Sequence, residues 1–290
     1  MKKHTRLYAL ICAALVSALW GISFIGSQKA VDGGLNAFSL IFVRYVAAVP
    51  ALLIVALAGK ADLRMKLRDV PALIGTTLSG ITVYYYCEIQ GILNTSPSAA
   101  SLITATIPVF CLLTGIVFKK QRPKKRMWPA LILSVTGVYL VVSSGKGKNS
   151  FIGVLFMFVC CVCWVIYLEM TAGLIKKYDS LAVTFWQSAA ALVTLVPLML
   201  REHTAWGSVT TSAYLWAALF LGLICSGACF AMNNFSVSVL SPQVNAFFLN
   251  LSPVVTAVFE LILMGTVITP LQIAGGAIVL TSLFLVSGDK

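Results

Sequence analysis

Three ionisable side chains stand inside long apolar segments: Arg44 in FVRYVAA, Glu88 in YYYCEIQG and Glu260 in AVFELIL. On insertion scales a charged group at the centre of a bilayer costs roughly 2.5–3.5 kcal/mol, so such groups are rare and usually bind something. A guanidinium attracts a carboxylate; a carboxylate accepts a proton or an amine. All three residues fall in the same outer third of their segments, which predicts that Arg44 pairs with Glu88 or Glu260. A purely structural ion pair between helices is the competing reading.

A second group combines amides and hydroxyls with prolines. SPSAASLITATIPVF (Ser96 to Phe110) and SPQVNAFFLNLSPVV (Ser241 to Val255) both open on Ser-Pro, and Pro97 and Pro108 recur 145 residues on as Pro242 and Pro253. Pro97 and Pro242 suit a helix start. Pro108 and Pro253 are interior, where proline removes a backbone hydrogen bond and kinks the helix. In lipid the freed carbonyl must face protein or water. Ser101, Thr104 and Pro108 share one helix face; Gln243 and Asn250 share another, with Asn245 nearby. These residues either line a cavity or join helices, since small and polar residues also pack membrane helices. Trp20 and Trp164, related by nearly the same offset, and Tyr84 in the Tyr84-Tyr85-Tyr86 run, add aromatic surface. The candidate substrate-binding set is therefore Trp20, Arg44, Tyr84, Glu88, Ser101, Thr104, Trp164, Asn245, Asn250 and Glu260, with Pro108 and Pro253 as kinks.

The elements that must position these residues follow from composition. The chain has 290 residues, 59% hydrophobic and 10% charged, whereas a soluble domain is nearer a quarter charged. At about twenty residues per crossing, hydropathy predicts ten spans: 7–27, 36–58, 70–92, 97–118, 127–144, 151–175, 181–200, 213–235, 242–264 and 271–287. The first segment follows a basic start resembling a leader, but it is long enough to span and carries the repeat partner of Trp164, so it reads as a retained helix. The net charge of +12 lies in short runs between spans, a pattern of membrane orientation rather than of nucleic-acid binding. With the N-terminus in the cytoplasm, sixteen Lys and Arg fall on that side and four on the other. This predicts a multi-pass protein of the cytoplasmic membrane with both termini cytoplasmic. All eight cysteines lie in apolar segments, where they act as small hydrophobes; no metal or other cofactor is expected. Five spans per half is an odd number, so the second half enters the membrane inverted, as in many secondary transporters.

The sequence resembles the EamA family of the drug/metabolite transporter superfamily. The resemblance is carried by Trp20-Gly21-Ile22-Ser23-Phe24, by Arg44 in its FVRYVAA context, and by the fourth and ninth spans with their IPVF and LSPVV. It implies an all-α integral membrane fold of ten transmembrane helices, as two inverted five-helix EamA repeats at 7–145 and 151–288. It also implies a central cavity lined by helices including the fourth and ninth, and export of small metabolites, often amino acids or drug-like compounds. One departure stands out: the family often has Gly-Glu after the proline-bearing helix, but here Lys120-Gln121 and Gly265-Thr266 occupy those places. Glu260 sits half a span earlier and points to a distinct substrate subgroup.

The expected function is a secondary transporter, an exporter of amino acids or related amphipathic compounds working by alternating access, with proton or exchange coupling open to it. Its expected partners are a small-molecule substrate and the lipid bilayer; nothing in the sequence sets an oligomeric state. The alternative is an integral-membrane enzyme acting on lipid-linked substrates. It is disfavoured because no histidine lies in a span and no paired acidic motif is present.

Overall fold

In a lipid environment every backbone polar group must be satisfied within the protein, which leaves long apolar segments little choice but the helix. The computed structural model describes residues 3–117, 120, 125–143, 150–264 and 270–287, and their regular structure is helical throughout. The chain begins with α1 (Lys3–Asp32) and α2 (Ala37–Ala58). Then α3 (Val70–Thr77) runs through a π-helical stretch, Leu78–Val83, into α4 (Tyr84–Asn94). Next come α5 (Pro97–Thr104) and α6 (Ile107–Val117), separated by a two-residue turn, and α7 (Met127–Ser143). The later half holds α8 (Phe151–Ile175) and α9 (Ser180–Arg201). There α10 (Thr211–Leu215) continues through a second π stretch, Trp216–Ala228, into α11 (Cys229–Val239). Finally α12 (Pro242–Phe248), α13 (Leu251–Met264) and α14 (Pro270–Ser287) complete the chain.

Among the described residues six helical segments are long and apolar enough to cross a membrane: Thr5–Asp32, Ala37–Ala58, Phe151–Ile175, Ser180–Arg201, Thr211–Val239 and Pro242–Leu263. Polarity is arranged inside out relative to a soluble protein. Leu7, Ile11, Leu15, Ile54, Val193 and Ile262 face outward, while Ser17, Thr76, Thr171, Gln187, Asn233 and Asn234 are buried. The apolar exterior matches lipid, and buried polar groups must then find partners among themselves. The protein is thus a multi-pass membrane protein. Gln121, Gly265 and Thr266, where the acid expected after each proline-bearing helix is missing, lie outside the described residues.

Helix starts follow local chemistry. Ser96 Oγ accepts from Ala99 N–H at 3.2 Å, Asp179 caps α9 through Leu181 N–H at 2.7 Å, and Ser241 caps α12 through Val244 N–H at 3.2 Å. Each oxygen satisfies one of the orphan donors of a first turn. Pro242 is tolerated in such a turn because its missing N–H would have no partner there anyway.

The interior prolines do more than kink. Pro108 and Pro253 sit in the first turns of α6 and α13, directly after turns at 105–106 and 249–250. Backbone bonds there shorten to a three-residue span: Thr106 N–H to Ile103 O at 3.0 Å, Val109 to Thr106 at 3.0 Å, Asn250 to Phe247 at 3.2 Å and Ser252 to Leu249 at 2.9 Å. Each rod is thus two half-helices, because proline cannot donate and its ring excludes the carbonyl four residues back. The half-helices pack crosswise: α5 lies on α13 and α6 on α12. In the same way α2 lies on α9 and α7 on α14, while α1 lies on α13 and α11, and α4 on α8.

Candidate functional site

The two broken rods and α1, α4 and α8 enclose a small cavity. Its lining is Trp20, Ser23, Phe24, Tyr84, Tyr85, Glu88, Thr104, Ile107, Trp164, Leu249 and Ser252. Thr104 and Ile107 flank the first break, and Leu249 and Ser252 flank the second, so both turns open onto it. The cavity leaves about 20 Å³ to the centre of a water molecule. That is room for one or two waters, and a metabolite needs the walls to part.

Aromatic rings build much of the wall. Trp20 meets Trp164 edge-on at 5.1 Å between centroids, Tyr84 lies 5.0 Å from Trp164 and 5.2 Å from Tyr85, and Trp164 rests on Tyr167 at 4.8 Å. These separations lie in the range that ring quadrupoles favour, edge-to-face for Trp20–Trp164 and Tyr84–Tyr85 and tilted for the other two pairs. Trp20 is held from behind, its Nε1 donating to the Cys225 carbonyl at 3.2 Å within the second π stretch. Two glycines permit the close approach of the walls. A Cβ on Gly21 would meet the Ser252 carbonyl at 2.6 Å, and one on Gly80, in the first π stretch, would meet the Tyr167 ring at 2.1 Å.

Of the residues singled out from sequence, Trp20, Tyr84, Glu88, Thr104 and Trp164 meet in this cavity, and the others do not line it. Arg44 is fully buried one layer away. Its guanidinium lies 3.9 Å from the centroid of the Tyr85 ring, and its Nε donates to Ser226 Oγ at 3.0 Å. Nη1 and Nη2 have no partner among the described residues. The expected ion pair of Arg44 with Glu88 or Glu260 is therefore not formed: Tyr85 takes the cation instead. Glu260 receives the Ser98 N–H on Oε1 at 3.2 Å and the Ser98 hydroxyl on Oε2, capping α5 from α13. Ser101 is buried with its hydroxyl donated to the Ser98 carbonyl at 2.8 Å. Asn245 donates to Asn233 Oδ1 at 2.9 Å, and Asn250 is fully buried at the second break.

Asn245 belongs to a buried polar network that sequence reasoning did not assemble. Gln187 Nε2 donates to Thr76 and Thr171 hydroxyls at 3.0 and 2.9 Å. Asn234 Nδ2 donates to Thr184 Oγ1 at 2.8 Å and to Gln187 Oε1 at 3.1 Å, and the Tyr167 hydroxyl donates to Asn234 Oδ1 at 2.8 Å. The network ties α3, α8, α9, α11 and α12 behind the cavity. A cue existed in Gln187, an amide inside the predicted span 181–200. Tyr85 and Ser252 carried no such cue, one resembling its neighbours in a tyrosine run and the other a helix-packing serine.

The model of the EamA-like transporter family matches residues 7–143 and 151–288. The chain is 24% identical to an uncharacterised transporter of Archaeoglobus fulgidus, covering 96% of each chain. It is 25% identical to a probable terminal-alkyne amino-acid exporter of Streptantibioticus cattleyicolor, over 99% of this chain and 95% of that one. A solved crystal structure superposes with a TM-score of 0.78 at 16% identity, covering 99% of each chain.

Proposed function

We propose a transport function on one premise: the chain belongs to the EamA-like transporter family. It is a secondary exporter of small amphipathic metabolites, amino acids or related compounds, driven by exchange against a proton or a second solute. The observation that carries this reading is the small cavity flanked by both proline-broken rods, with walls from both halves of the chain. Broken helices at corresponding places in two halves are a recurring way to build a transport site near the midplane. The exporter among its relatives is named for an amino acid, which supports the substrate class. The relatives are transporters, and they lend no support to an enzyme acting on lipid-linked substrates.

In this reading the protein crosses the cytoplasmic membrane ten times with both termini inside, as two inverted five-helix repeats at 7–145 and 151–288. The crosswise packing of α5 on α13 and α6 on α12, and of α2 on α9, supports antiparallel repeat mates. Alternating access would part the walls at the breaks, first to one side and then to the other. The test is metabolite profiling of the medium from cells with and without the protein, followed by uptake of enriched compounds into inverted vesicles. At least one amine- or carboxylate-bearing compound should accumulate outside only with the protein present. An unchanged medium, or lipid turnover by the purified protein, overturns the reading.

A further inference from the structure

The cavity lining holds several polar groups, and nearly all are already committed. Ser23 Oγ donates to the Trp20 carbonyl at 2.7 Å, Thr104 Oγ1 to Ser101 O at 2.6 Å and Ser252 Oγ to Ser17 O at 2.7 Å. Trp20 Nε1 is taken by Cys225 O. The Tyr84 phenol lies against Glu88 and the Tyr85 phenol against Ser226. Among the described residues two buried lining atoms remain without a partner: Glu88 Oε1, on a side chain 3% exposed, and Trp164 Nε1, on one 2% exposed. One is an acceptor on the only carboxyl group of the lining; the other is a donor.

We infer that the cavity recognises its substrate by an ammonium group held at Glu88 within the aromatic walls, while Trp164 Nε1 donates to an acceptor on the same molecule. This rests on the cavity being the transport site. A buried acceptor left unpaired is costly, and a charge-assisted bond to an ammonium is among the strongest ways to satisfy it. The rings reinforce the choice, because their faces attract cations within about 6 Å. Tyr85 is already engaged by the Arg44 guanidinium at 3.9 Å, so the rings left to the ammonium are those of Trp20, Tyr84 and Trp164. Charge argues against a substrate whose only ionised group is a carboxylate: it would meet Glu88 with no cationic side chain in the lining, Arg44 standing outside it. An amine suits Glu88 Oε1, and an α-amino acid whose carboxylate reaches Trp164 suits both unpaired atoms.

The test uses the full-length protein in lipid nanodiscs and two matched probe sets. These are ethylamine, alanine and propionate, and phenethylamine, phenylalanine and 3-phenylpropionate. Binding is read as a rise in melting temperature and as a titrated affinity. The amines and amino acids should bind and the carboxylates should not. Glu88→Gln should keep the ligand-free melting temperature and weaken amine binding roughly tenfold or more. Trp164→Phe should erase any advantage of the amino acid over its amine, whatever the change of ring does to the amine's own affinity. Carboxylates binding as well as amines, or unchanged amine affinity in Glu88→Gln, overturns the inference. So does an absence of amine-dependent shift in the wild-type protein up to millimolar concentration. If export into the medium is still seen in that case, transport stands and only the ammonium rule fails.

Discussion

At the scale of single residues, Arg44 and Glu260 show how little sequence position says about a partner. Both were legible as functional or paired groups, since ionisable residues in apolar segments need a reason. Their partners were not legible, because a guanidinium can choose an aromatic face and a carboxylate can choose backbone N–H groups, and neither leaves a charge signature. For Arg44 the magnitudes nearly cancel. The contact with Tyr85 contributes about 2 kcal/mol when desolvated, and the bond to Ser226 roughly 1.5–3 kcal/mol. Two unpaired Nη groups set against this about 1–3 kcal/mol each. Arg44→Met should therefore change stability by less than about 2 kcal/mol, while export declines because Tyr85 loses its support. Thermal melting and vesicle uptake measured together decide it; a collapsed fold with normal specific activity would make the charge structural. Glu260 is different. Its carboxylate caps α5, so Glu260→Ala should lower stability by about 1 kcal/mol. Glu260→Gln should keep part of that, since an amide oxygen still accepts from the Ser98 N–H. In a double-mutant cycle with Ser98→Ala the two losses should not add.

At the scale of elements, hydropathy located the helical rods closely, because the lipid demand for continuous apolar sequence is strong. The predicted 151–175 and 242–264 coincide with α8 and with the α12–α13 rod. The proline pattern located the breaks, although it read as kinks within continuous helices. The π stretches were invisible, since their defining feature is a shifted hydrogen-bond register rather than any residue type. Their placement is not random: Leu78–Val83 ends 145 residues before Trp216–Ala228 ends, the offset of the proline pattern. A π stretch carries extra residue length that rotates the helix beyond it relative to the helix before it. The helix rotated by the first stretch is α4, with Tyr84, Tyr85 and Glu88 on the cavity wall. Inserting one alanine between Val83 and Tyr84 adds a residue beyond the stretch and should turn those side chains by about 100°. Helix content by circular dichroism should stay near wild type while uptake is lost. Uptake retained at the wild-type rate would mean that the register does not aim the wall.

At the scale of the molecule, the expectation of five spans per half led from sequence to the proposal of an inverted repeat, and the set of fastenings between the halves was what it could not supply. Those fastenings lie at both ends of α9, about 33 Å apart by helix rise. At one end Lys177 Nζ donates to Asp69 Oδ1 at 2.8 Å and the Tyr178 hydroxyl to Oδ2 at 2.7 Å, with Trp186 Nε1 donating to Leu63 O at 2.7 Å. At the other end Glu202 accepts the Phe38 and Ser39 N–H groups, both at 2.9 Å, at the start of α2. With both ends fastened the cavity is nearly closed. A carrier that alternates must release one end while the other holds.

Protonation does not release the Asp69 end under ordinary conditions. The hydrogen bonds from Lys177 and then Tyr178 hold its carboxylate below the usual range. A lowered carboxylate pKa contributes stability above its unfolded value of about 3.9, and this is lost only as pH falls through the folded value. In the alternating-access reading proposed above, occupancy of the cavity is the trigger, and the two ends should respond separately to mutation. A cysteine at Thr104, on the cavity wall, reports access to a membrane-impermeant maleimide, with the parent protein as control for its own thiols. Asp69→Asn should speed labelling from the side bearing Lys177, and Glu202→Gln should speed it from the opposite side. Faster labelling from one and the same side in both variants would mean that these contacts fasten helices without gating, and that the parting of the walls is controlled at the breaks alone.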